Sequence, residues 1–302
     1  MITNLSRRAF LGASAVAAGA LVGPAFGGPP KKKLVMLAGS PSHGPGDHEF
    51  HAGVRLLEKC LSKVDGLEIS VHTGGWPKDE KAFDGADGIL SYADGGGNHP
   101  LVRGNHLEVI GNLMKKGVGL MCAHYGVEVL KDLGGKEFQE WIGGYYENSF
   151  SCNPMWSPKF EEFPDHPIAH GVKPFSVRDE WYFNMRFRPE MKGVTPILSA
   201  KPSDDVRNGP YVSPRGPYKH IQEAKGKSEA MMWATERPDG GRGVGFTGGH
   251  FHKNWAEDNF RKVVLNALLW ICKMEVPKDG VVSQVTEDDL KENLDPKPGK
   301  KK

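Results

Sequence analysis

Leu34-Val35-Met36-Leu37-Ala38, then Gly39 to Asp47, then Glu49 to Val64 with Phe50, Val54, Leu57 and Leu61 at helical spacing: this stretch reads as strand, loop and helix. Five consecutive apolar residues suit a strand buried on both faces, as strands of parallel sheets are. The 3.6-residue period that follows suits a helix laid over that sheet. The pattern repeats downstream. Leu67 to His72 alternates as a second strand, and Asp87 to Tyr92 is a third, ending in Asp94-Gly95-Gly96-Gly97-Asn98, which reads as a flexible loop. Leu101 to Lys116 has helical spacing through Leu107, Ile110 and Met114. Val118 to Cys122 is a fourth strand, turning sharply through His124 toward a short helix near Val127 to Leu133. Strand and helix in alternation predict an α/β fold with a doubly wound parallel sheet.

From Glu147 to about Glu229 the pattern dissolves into Pro-, Asn- and aromatic-rich sequence, a long irregular insert. Inserts of this length in compact domains are usually binding loops or lids. Short strands are expected there at Phe175 to Val177, Trp181 to Met185 and Pro196 to Ala200. The sheet resumes at Ala230 to Ala234 and Val244 to Thr247, and Phe260 to Ile271 is an apolar closing helix. Residues 274–302 are Lys- and Pro-rich, without a core pattern, and read as a flexible tail.

The 302 residues carry 39 basic and 37 acidic side chains, a formal net charge of +2 that offers no field for nucleic acid. Residues 1–27 form a leader: Arg7-Arg8 precede Phe10-Leu11 and an Ala/Gly/Val-rich run, the pattern of a twin-arginine export signal. Export to the periplasm is expected, with no stable membrane insertion once the leader is cleaved. The four cysteines, Cys60, Cys122, Cys152 and Cys272, form no CxxC pair and are expected as free, mostly buried thiols.

Of the 12 histidines, several follow predicted strands: His43 and His48, His124, then His250 and His252. The C-terminal edge of such a sheet is where ligands gather. His43, His48, His124 and His250 are therefore candidate metal ligands, and imidazole with carboxylate suits a divalent metal, zinc first. His124, Asp179, Glu180, Tyr182 and His252 are candidate catalytic groups, with Glu180 as fourth ligand or general base. Trp156, Trp181 and Trp255 could stack on sugar rings. The plainer alternatives are solvated loop histidines, a helix-capping Asp47 and aromatics that only pack the insert.

Six segments in order carry a resemblance: Gly39 to His51, Gly119 to Glu128, Trp141 to Tyr145, His166 to Gly171, Arg178 to Tyr182 and Gly243 to Trp255. Together they resemble the trehalose-utilisation (ThuA-like) family over residues 33–273. The resemblance implies a flavodoxin-like sheet similar to class I glutamine amidotransferases. It also implies a sugar or oxidised (keto) sugar as substrate, on which the histidine set would support isomerisation, elimination or hydrolysis. Where that superfamily has a nucleophilic cysteine on an elbow turn, this chain has His124, with Cys122 two residues earlier inside the strand. Gly249-His250-Phe251-His252 replaces the His-x-Glu dyad, which argues against glutamine hydrolysis by Cys122. The leading expectation is an exported metal-dependent enzyme on a small sugar. The rival is a non-catalytic carbohydrate-binding or accessory module, and the oligomeric state stays open.

Overall fold

The computed structural model describes residues 31–297; the expected leader lies outside the described residues. Seven strands form one sheet: β1 (Lys32–Ala38), β2 (Leu67–Thr73), β3 (Gly88–Tyr92), β4 (Gly119–Ala123), β5 (Val194–Ala200), β6 (Glu229–Glu236) and β7 (Arg242–Phe246). Their order is β5-β6-β7-β4-β3-β1-β2. The block β2-β1-β3-β4-β7 is parallel throughout. β6 runs antiparallel to both its neighbours, so the sheet is mixed. The hairpin turn at Pro238 to Gly241 is too short for the crossover that a parallel pair needs. The expected α/β fold stands, with this one reversed strand.

The sheet separates two cores. Along β1, Leu34, Met36 and Ala38 face one side while Val35 and Leu37 face the other, as the two-residue period of a strand requires. The first side packs helices α1 (Phe50–Leu61) and a long C-terminal helix, Asp258–Ile271. The second packs α2 (His106–Lys115) and α3 (Gly135–Ile142). The expected stripe Phe50, Val54, Leu57 and Leu61 is wholly buried; each such side chain contributes roughly 1.5–3 kcal/mol on burial. Cys122, Cys152 and Cys272 are buried free thiols and Cys60 is half-buried.

Four local expectations change. No helix covers 127–133: the chain makes a single turn, His124–Val127, and restarts as α3 after Gly134, which takes a left-handed φ of 99°. The Gly95-Gly96 run is packed, because a Cβ on Gly95 would sit 2.2 Å from the Tyr125 carbonyl oxygen. The insert is partly sheet: β5 lies inside it and forms the sheet edge, and Trp181 to Met185 is not a strand.

The fourth concerns the tail. Residues 274–297, expected as flexible, are laid back over the domain, with Val276 and Val281 buried. The Lys297 ammonium is buried against the Glu49 carboxylate at 3.3 Å and reaches the carbonyl oxygens of Asp47 and His48. Glu49 in turn accepts the backbone N–H groups of Gly46 and Asp295, both at 2.8 Å. Composition hides this, because a lysine that ends in a cage of oxygens looks in sequence like a solvated one. Lys297→Met leaves the buried Glu49 carboxylate without its cation and is expected to cost about 3 kcal/mol in urea unfolding. The exposed Lys291→Met serves as control and is expected to change stability by less than about 0.5 kcal/mol; equal midpoints for the two variants would show that the strap contributes nothing.

Candidate metal centre

Three loops leave the C-terminal ends of β1, β4 and β7 and each delivers one histidine. His48 comes from the β1 loop, whose backbone is tied to the β7 loop by the His48 N–H to His250 carbonyl bond (2.9 Å). His124 stands on the elbow after β4 with a φ of 53°. His43, His48 and His124 are three of the nine non-glycine residues with positive φ among the described residues. Such backbone costs on the order of 1–3 kcal/mol each and persists where surrounding structure holds it. The β7 loop is held by Asp179, which is fully buried and accepts the N–H groups of Gly249 (2.8 Å) and His250 (3.1 Å) and the Asn254 amide. Gly249 sits at a φ of 113°, open only to glycine.

The imidazoles converge. His48 Nε2 is 3.0 Å from His124 Nε2 and 3.0 Å from His250 Nδ1. Glu180 Oε2 is 2.7 Å from His250 Nδ1 and 3.8 Å from His124 Nε2. The four donor atoms all lie within 4.8 Å of one another, and all four residues are buried. Glu180 Oε1 accepts the Asn153 amide (2.8 Å), which aims the other oxygen at the imidazoles.

Partners on the outer side decide where the protons are. His48 Nδ1 is 2.9 Å from Asp94 Oδ1, and a carboxylate accepts only, so Nδ1 carries the proton. His124 Nδ1 is 3.0 Å from the Thr247 carbonyl oxygen and carries a proton for the same reason. Both Nε2 atoms are then bare lone pairs, facing each other at 3.0 Å with no proton between them. Burial, with the neighbouring imidazoles, holds the His48 pKa down at about 2 and pulls that of His124 well below the usual range. For His250 burial also acts downward, but the hydrogen bond and charge of Glu180 prevail and raise it. Burial raises Glu180.

This donor chemistry fits a divalent cation. Nitrogens bound at about 2.0–2.1 Å around a tetrahedral ion lie roughly 3.3 Å apart, close to the separations seen. A carboxylate and a carbonyl behind the two histidines are the outer partners that orient imidazoles on metals.

The sequence profile of the trehalose-utilisation (ThuA) family matches residues 42–271. The chain belongs to the ThuA family. Two solved structures share its fold: a ThuA-like protein of Bacteroides uniformis, 16% identical, TM-score 0.54, spans 82% of this chain and 93% of its own. A second, from Parabacteroides merdae, is 13% identical with a TM-score of 0.53, spanning 87% of this chain and 99% of its own. No curated protein matches the chain.

The expected residues of this ThuA chain separate into groups. His48, His124, His250 and Glu180 meet, and the Tyr182 hydroxyl lies 3.3 Å from His124 Nε2. His43 lies outside the four: its ring stacks on His48 at 3.6 Å and is largely exposed. Asp179, fully buried, lies outside the four and shapes the β7 loop through the Gly249 and His250 N–H groups. His252 turns away on the helical turn His252–Ala256, buried near Glu49 and Lys297. The three tryptophans lie outside the cluster and are buried, and Trp156 also lines a separate cavity of about 550 Å³. Trp181 is fully buried against Phe160, Phe246 and Phe260, Trp255 is buried against Tyr92 and Phe260, and Trp156 is buried with its indole N–H donating to the Trp181 carbonyl. Cys122 is buried inside β4, and burial pushes its thiol far above the thiolate range.

Two residues were missed. Asp94 follows β3 directly, so the strand-end rule that picked the histidines would have found it. Glu128, buried beside Glu180 and the tyrosines, has its pKa raised by burial to about 7 and has no such signal.

Trp181→Ala is expected to cost about 3–5 kcal/mol in urea unfolding, whereas a solvent-facing platform would cost little. His99 gives a pH test. It is buried, its Nε2–H donates to the Gly126 carbonyl (2.8 Å), and burial lowers its pKa to about 4. Its unfolded value is about 6.5, so between these the unfolded state binds more protons and stability falls as pH falls. This acid loss is expected to shrink by about one proton's worth, roughly 1.4 kcal/mol per pH unit, in His99→Gln; unchanged slopes of unfolding free energy against pH would refute it.

Proposed function

We propose that this ThuA-family protein is an exported enzyme in which His48, His124, His250 and Glu180 hold a divalent metal, zinc first, and act on a sugar or keto-sugar. The carrying observation is the 3.0 Å approach of two imidazole nitrogens whose outer partners leave them unprotonated. When bound, the cation would polarise a carbonyl of the substrate. Asp94 and the Thr247 carbonyl keep the imidazoles oriented. Glu180 has two roles open to it: as fourth ligand it closes a tetrahedral zinc shell, and as base it moves a proton next to the carbonyl. Tyr182, beside His124, is placed to hold a proton on an oxygen. Isomerisation, elimination and hydrolysis all fit these groups.

A second reading has its own observation. All four donors are buried, which suits a closed, structural metal in a non-catalytic carbohydrate-binding or accessory module. Elemental analysis of the purified protein is expected to give about one divalent metal per chain, falling at least tenfold in His124→Ala. Wild-type protein without metal would sink the metal-dependent enzyme, and metal-independent sugar binding without turnover would favour the accessory module. Metal that stays after Glu180→Gln, with loss of keto-sugar turnover, supports the enzyme over the accessory module.

Export rests on Arg7-Arg8, Phe10-Leu11 and the Ala/Gly/Val-rich run of the leader. Arg7→Lys with Arg8→Lys is expected to leave uncleaved precursor in the cytoplasm, read by fractionation. Normal periplasmic delivery of that variant would exclude the twin-arginine route.

A further inference from the structure

A cavity of about 400 Å³ opens at the C-terminal ends of β1 and β3, against Gly39 and Ala93, the residues that follow those strands. That size falls within the range of roughly 300–1,000 Å³ for small-molecule sites. The chain leaves β1 toward β2 on one side and returns through β3 on the other, so the cavity lies where strand order reverses. Open α/β sheets bind ligands at such a switch point. One wall is Asp94, whose Oδ1 holds His48. The cavity therefore shares a side chain with the metal centre.

Its lining settles the kind of ligand. Ser40, Trp76, Asn98, Arg103 and His106 bring polar side chains to it. Of these five side chains only that of His106 has a hydrogen-bond partner among the described residues, donating from Nδ1 to the Pro100 carbonyl at 2.7 Å. That bond leaves His106 Nε2 as an acceptor, and the ring is fixed by stacking on Trp76 at 3.7 Å with 4° between planes. The wall thus mixes donors (the Arg103 guanidinium, the Trp76 indole N–H, the Asn98 amide) with acceptors (His106 Nε2, the Asn98 carbonyl, the second Asp94 oxygen). An anion would want donors alone and would meet the Asp94 charge. An apolar ligand would leave these groups dry and unpaired. Hydroxyls, each both donor and acceptor, match the mixture.

We propose that this cavity binds a neutral, hexose-sized polyol as the sugar-ring subsite of the centre. Its service to the reaction rests on the metal reading above; sugar binding in the cavity does not. Titration calorimetry with D-glucose and trehalose, with D-gluconate as the charged comparison, tests it on protein whose metal content is measured in the same samples. Saturable binding of a neutral sugar, weakened at least about tenfold by Arg103→Ala and by Asn98→Ala, is expected. Those two side chains are exposed, so folding is preserved. Sugar binding that persists in metal-depleted His124→Ala supports the subsite as a separate element. Wild-type protein that lacks metal but binds sugar through Arg103 would end the metal reading and leave the subsite standing. Absence of saturable binding by either neutral sugar, tighter binding of gluconate, or affinities unmoved by both substitutions would overturn the proposal.

Discussion

Two imidazole nitrogens 3.0 Å apart, both deprived of a proton by what lies behind them, are the constraint around which this structure is arranged. Bare lone pairs repel in a low-dielectric interior, and nothing in the packing of apolar side chains would select such a contact. It persists because loops from three strands are each pinned independently. Asp94 pins His48, the Thr247 carbonyl pins His124, and Asp179 pins the backbone that carries His250. A cation between the nitrogens, as proposed, would turn the repulsion into attraction, with the outer carboxylate and carbonyl orienting the imidazoles toward it.

The supporting shell extends to the end of the chain. His48 sits in a loop with left-handed backbone, and that loop is gripped from the other side by Glu49 and the Lys297 ammonium. A loop rich in glycine and proline has little stability of its own. Buried charge from a distant part of the sequence supplies what local propensity lacks, and this ties the geometry of the centre to the folding of the whole domain.

The fold was legible because it rests on periodicity. Leu34 to Ala38 and the Phe50, Val54, Leu57, Leu61 stripe carry their own burial pattern. The strand-end histidines were legible because topology sends those loops to one edge. What was not legible had no local signal. Trp156, Trp181 and Trp255 look alike whether they stack on a ligand or fill a core, and only the aromatic neighbours decide. His252 was undone by a helical turn that rotates it away from His250. Asp94 was passed over because three glycines beside it suggested mobility, whereas Gly95 is there to let the β3 loop approach the elbow. Lys297 could not be read at all, since its partners lie about 250 positions away.

Burial of the centre and openness of the neighbouring cavity belong to one design. Burial keeps the His48 and His124 lone pairs unprotonated and would leave the proposed cation few competing ligands, favouring tight binding while restricting entry. A substrate with many hydroxyls cannot be stripped of water all at once without heavy cost. A polar cavity that replaces those hydrations one by one, sharing Asp94 with the buried side, removes the conflict. Asp94 joins the two: it fixes the His48 tautomer and also lines the cavity. Any change in how it is held would be felt on both sides.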